Sequence, residues 1–261
     1  MASNTSGATK QNANVTKEGP LDTVLLALAT LYEQLGQIDS ALAVYSNILK
    51  RNSMCIAALT GRSLIWLMKS QEDKLFKDIN KAVGGASKDP NALRARAVAY
   101  MCTGNFEGAI KDFKRSLDNN EWDSLTCLLA YMVFAKSEDP MDVPNLLNGA
   151  LDGNIKQQDW PFPVLQYFRG DISMTDLMNI ANSSKGRLME TRAYLGFQKV
   201  FQQNPEEGKV DLQFVYNSRS GSTLVRAIAV RGLKIIQEGH ATKIASRHEK
   251  ADKTSGLDWM D

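Results

Sequence analysis

Five aromatic residues, Tyr32, Trp66, Tyr100, Phe134 and Phe168, stand 34 positions apart without slippage. Aromatics make up only 8% of the chain, so composition alone does not put five of them in register. A fixed period of 34 is the length of a helix–turn–helix repeat, and no other feature constrains the fold as tightly. One helix pair cannot bury both of its apolar stripes. The next pair must cover what is left, so such units are stable only as a stack. The period therefore predicts an all-α array that presents an extended surface.

Counting units from Asp22, Ile56, Pro90 and Ser124 brings further positions into line. The eighth holds Ala29, Ser63, Ala97 and Tyr131, and the fifteenth Gly36, Ser70, Gly104 and Glu138. The twentieth holds Ala41, Leu75, Ala109 and Val143, and the twenty-fourth Tyr45, Ile79, Phe113 and Leu147. Over roughly residues 22 to 155 this pattern resembles tetratricopeptide repeats. The resemblance implies a small eighth residue where two helices approach closely and an aromatic eleventh wedged between a first helix and its neighbours. It also implies a fifteenth at the turn, where glycine tolerates the positive φ of a helix C-terminus. The first and third units fit well, the second less well, and the fourth departs most. Arg62 and Arg96 occupy the seventh position, where the family usually has leucine.

After Asn154 the period degrades. The segment Trp160-Pro161-Phe162-Pro163 interrupts regular helix, because each proline disfavours helix in the residue before it. A short helix to about Arg169, a turn at Gly170-Asp171 and a helix from Ser173, with Asp176 as capping-box partner, are expected next. Ser183 to Gly186 reads as a loop, and a longer helix carries Glu190, Ala193, Tyr194, Leu195 and Gly196. Its return helix is expected over Gly208 to Tyr216. Thr223 to Ile236 is apolar at helical spacing and closes the array. Trp160-Pro161, Phe168-Arg169-Gly170, Glu190 and Tyr194-Leu195-Gly196 are similar to features of bacterial scaffolds of the NlpI type. That likeness implies a non-enzymatic scaffold, though this chain shows neither signal peptide nor lipobox cysteine. The expected organisation is a disordered tail (1–20), four helix pairs (21–155), degenerate repeat helices (156–237) and a flexible tail (238–261). Together these make a right-handed superhelical array with a degenerate C-terminal half.

Charge bounds the partners. Thirty-one basic residues against 29 acidic give a net charge of +2, which argues against neutralising a phosphate backbone and so against nucleic acid. Cys55, Cys102 and Cys127 follow neither a CxxC nor a zinc-finger pattern and read as buried thiols in a reducing, cytoplasmic setting. Leu21 to Leu35 is too short to span a membrane and contains Glu33. His240 and His248 are the two histidines. With none in the repeat body, a Ser-His-Asp or Cys-His arrangement there is excluded. No metal site or cofactor is expected, and no catalysis.

In tetratricopeptide arrays the first helices line a concave groove. The resemblance places Leu26, Thr30, Leu64, Leu67, Met68, Arg94, Val98, Met101, Leu128 and Met132 there. The lysine, asparagine and arginine positions of a carboxylate clamp are instead Leu26, Thr30, Gly61, Asn91 and Ala95, so a chaperone-tail clamp is not expected. An apolar, methionine-bearing groove suits an amphipathic helix of a protein or peptide partner. Equally, Thr223 to Ile236 folding back would bury the same residues. The C-terminal Leu257, Asp258, Trp259 and Asp261 resemble the tryptophan-acidic motifs that kinesin light chain grooves recognise, and form a second expected docking element. The expectation is a non-catalytic interaction scaffold or adaptor. A self-associating array, a homo-oligomer, and an auxiliary subunit positioning an enzyme are the alternatives.

Overall fold

A computed structural model describes residues 19–119, 123–134, 142–152, 160–202, 204–218 and 221–255, with backbone only at 142–144 and 240–255. These residues form helices α1 (Pro20–Gln34), α2 (Ile38–Arg51), α3 (Ile56–Met68), α4 (Glu72–Gly85), α5 (Pro90–Thr103), α6 (Phe106–Asn119) and α7 (Ser124–Phe134). They continue through α8 (Asp142–Asp152), α9 (Phe162–Arg169), α10 (Met174–Ala181), α11 (Lys185–Phe201), α12 (Pro205–Asn217) and α13 (Thr223–Ser255). No strand occurs among the described residues. The expected N-terminal tail lies outside them from residue 18 back, as do Leu257, Asp258, Trp259 and Asp261.

The period of 34 is written into the turns. Gly36, Ser70 and Gly104, one period apart, all take positive φ (73°, 54° and 85°). Just beyond each, the N–H of Gln37, Gln71 and Asn105 donates to the carbonyl of Tyr32, Trp66 and Tyr100 at 2.8–2.9 Å. These bonds close the first helix of each hairpin and satisfy a carbonyl that would otherwise lack a partner. Tyr32, Trp66, Tyr100 and Phe168 are half-buried against the core, and Phe134 is buried.

Small residues sit where helices touch. Ala29, Ser63 and Ala97 are wholly buried, as are Ala41, Leu75 and Ala109 on the return helices. The fourth unit departs because Tyr131 is too large for the eighth-position contact. It stacks instead on Phe168, centroids 4.9 Å apart. The seventh-position arginines are structural. Arg62 grips Asp78 through two bonds of 2.7 and 2.8 Å, and Arg96 grips Asp112 through two of 2.6 and 2.9 Å. Each also reaches the preceding return helix, Arg62 to Ser46 and Arg96 to Asn80.

In the second half, α10 opens with the expected capping box between Ser173 and Asp176. The expected loop at 183–186 is shorter than anticipated, since Lys185 and Gly186 already belong to α11. Helices α11 and α12 cross at Gly196 and Gly208, where a Cβ on Gly196 would meet the Gly208 carbonyl at 3.0 Å. Helix α13 then turns back and packs on α11, α12, α3 and α5. The helix runs on past Ile236, where the apolar pattern ends, to Ser255. Residues 238–255 contain no proline, and nine of the eighteen are Ala, Lys, Glu or Arg, strong helix formers that extend an anchored helix.

Gly61 on α3 is fixed by Tyr45. A Cβ there would enter the Tyr45 ring, and that ring is held by its hydroxyl, which donates to Glu33 Oε1 at 3.0 Å. Gly61→Ala therefore loses more through overpacking than it gains in helix propensity. It is expected to lower stability by about 1–3 kcal/mol in urea unfolding.

Candidate functional site

The concave residues lie on α1, α3, α5 and α7 as expected, but their exposure is graded. Thr30 is exposed, and Leu26, Leu64, Met68 and Arg94 are half-buried. Leu67, Val98, Met101, Leu128 and Met132 are buried, at 0–1% exposure. Helix α13 packs on α3 and α5, and α11 on α13. Val225, Ile228, Ala229 and Ile236 form the buried stripe of α13.

Arg231 sits in the middle of that stripe and is itself only 5% exposed. Its Nε and Nη2 donate to the Cys102 carbonyl at 3.2 and 3.0 Å, and Nη1 pairs with Glu72 at 3.1 Å. The carbonyl of Cys102 lies in the last turn of α5, where backbone acceptors lack intrahelical donors, so a cation there completes a helix end. Sequence reasoning passed over Arg231. The available signal was a single cation in register with Leu224, Ile228 and Ile236.

Arg94, the expected central charge of the groove, is engaged within the chain. It donates to Asp123, to Thr126 Oγ1 at 3.1 Å and to Asn91 Oδ1 at 2.6 Å. It thereby ties α5 to α7. Beyond it, on α11, Tyr194 is fully buried, and burial followed by the nearby Glu190 charge holds its hydroxyl well above the usual range. Glu190 accepts from Trp160 Nε1 at 2.6 Å, and burial raises its carboxyl. Burial also pushes the Cys102 and Cys127 thiols up to about 12, which keeps them protonated and unreactive. A separate cleft of about 230 Å³ opens among α2, α3 and α4 around the Arg62–Asp78 pair, lined by Lys50, Lys77 and Lys81. Among the described residues no helix is long and apolar enough to cross a membrane.

These elements define an array of helical hairpins against which the last helix packs back onto α3 and α5. No family model matches the chain, and no curated protein matches it. Among solved structures it is similar to a tetratricopeptide repeat protein from Parabacteroides merdae ATCC 43184. The two are 19% identical with a TM-score of 0.49, over 82% of this chain and 85% of that one.

Glu33 joins α1 to α2 through Tyr45 and lies beside Thr223 at the start of α13. Burial raises its carboxyl above the ordinary 4.5, against the lowering effect of the Tyr45 bond. The folded state thus binds this proton more tightly than the unfolded state does. Its contribution to stability is greatest in acid and declines as pH rises from about 4.5 through the folded value. Glu33→Gln keeps an acceptor for Tyr45 without the charge. It is expected to raise stability at pH 7, a gain that shrinks as the pH falls below the ordinary carboxylate range in urea titrations.

Proposed function

We propose that this chain is a non-catalytic protein-interaction scaffold whose concave groove is a site for an amphipathic helix. In the free chain that site is held by α13. The observation that carries the reading is α13 itself, a helix with a buried apolar stripe and the buried Arg231, packed on α3 and α5. A partner helix of the same chemistry takes the groove by replacing it. Its requirements follow from the magnitudes. Displacing α13 uncovers Val225, Ile228 and Ile236, at roughly 1.5–3 kcal/mol each. A competing helix must supply comparable burial and a cation for the Cys102 carbonyl. Weak or purely polar segments leave the groove closed. Three cysteines kept as buried thiols fit a reducing, cytoplasmic setting for such an adaptor.

The test uses the full chain and a fluorescent peptide with the sequence of residues 223–239. Arg231→Ala removes charge-assisted hydrogen bonds worth about 1.5–3 kcal/mol. It should therefore let the peptide in roughly 10- to 100-fold more readily than wild type in anisotropy titrations. Adding Leu64→Asp should abolish that capture. If hydrogen exchange shows α13 opening more often in Arg231→Ala and the peptide still does not bind, the groove is not a helix site.

A further inference from the structure

Helix α1 and its C-terminal cap carry Leu21, Val24, Leu28, Leu31 and Leu35 as large exposed side chains. Their spacing alternates three and four residues, the seam of a helix made to pack along another helix. The repeat itself shows what this face is. One period on, the residues matching Val24 and Leu31 are Ala58 and Ile65, both at 0% exposure because α2 lies over α3. On α1, Val24 is 64% exposed and Leu31 49%. The stripe is thus the stacking face of the array, uncovered among the described residues.

We propose that this face docks against the same face of a second copy of the chain. The two α1 helices run antiparallel about a two-fold axis near Leu28. Charge selects this occupant. The ten exposed residues of α1 and its cap include no charged one. Both carboxylates of the helix turn inward, Asp22 towards Arg51 and Glu33 towards Tyr45. A neutral apolar face meets its own copy with no like charges opposed, and offers nothing to an acidic or basic partner.

Within the chain the other candidates fit less well. Val210 and Phe214 of α12 are exposed, but Glu206, Glu207 and Lys209 beside them would be buried against a face with no counter-charge. Residues 2–18 contain one large apolar side chain, Val15. Helix α13 begins beside Glu33 and reaches the ends of α3 and α5 by Arg231, so its continuation leads away from α1. The stripe exposes on the order of 500 Å² per copy, near the largest patches of ordinary monomers. Two copies would then bury about 1,000 Å², the low end for specific interfaces and the range of reversible association. This proposal concerns a different surface from the concave groove and stands or falls separately.

The experiment is analytical ultracentrifugation of the full chain from about 1 to 200 µM, a range matched to weak dimers. The expected mass rises from 28.9 kDa to twice that value and levels off. Val24→Glu with Leu31→Glu should stay monomeric throughout, with unchanged circular dichroism. Mixing it with the Val24→Lys, Leu31→Lys chain should restore the dimer. Leu28→Cys should form an interchain disulfide with its own mate, because the three native cysteines are buried. A wild type that stays at 28.9 kDa overturns the proposal, as does mass growing past two copies or a double-glutamate variant that still dimerises.

Discussion

A helix hairpin with two apolar faces and only one partner helix always has a face left to cover, and every level of this structure answers that constraint. Along the array each return helix covers the next unit, so Ala58, Ala92 and Ala97 can be small and wholly buried. Farther along the chain, α13 comes back to pack on α3 and α5. At the N-terminal end the answer is missing from the described residues, and Val24 and Leu31 stand open. The same physics thus gives the fold both its core and this uncovered seam.

Polar residues enter this packing only where both partners are present. Arg62 and Asp78 are sixteen residues apart, and so are Arg96 and Asp112. In the first and fourth units the corresponding pairs are Leu28 with Val44 and Ala130 with Leu146, apolar at both positions. Asp78 and Asp112 are almost fully buried. A buried carboxylate costs several kcal/mol unless paired in good geometry, and the bidentate grip supplies that geometry. Such pairs add less to net stability than to register, because a slipped helix would strand a buried charge. Trp66 reinforces this by donating its indole N–H to Asp78 at 3.1 Å.

What was legible in the sequence followed the period. The turn at Gly36, Ser70 and Gly104, the small residues at Ala29, Ser63 and Ala97, and the capping box at Ser173 are local or repeated signals, and they appear where expected. The concave residues also fall on the expected helices. Their accessibility was not legible, because the burial of Leu67, Val98, Met101, Leu128 and Met132 depends on packing with other helices. Arg231 bonding to Cys102 spans 129 positions, and no local pattern encodes that distance. Helix α13 running past Ile236 was missed for the opposite reason. A polar stretch reads as tail, although its helix propensity is high and its start is anchored.

The charge distribution connects the two surfaces. Arg62, Arg94, Arg96, Arg169, Arg192 and Arg231 each pair with a carboxylate of this chain. Most of these pairs join different helices, so arginine here serves as a staple between elements rather than as a surface charge. Helix α1 contains no Lys or Arg, and its two carboxylates turn inward, so its exposed face carries no charge. Arg94, the expected central cation of the groove, is likewise committed within the chain to Asp123 and Asn91. Recognition at the two proposed surfaces therefore calls for apolar shape rather than long-range steering, which favours helices that match the array's own stacking geometry.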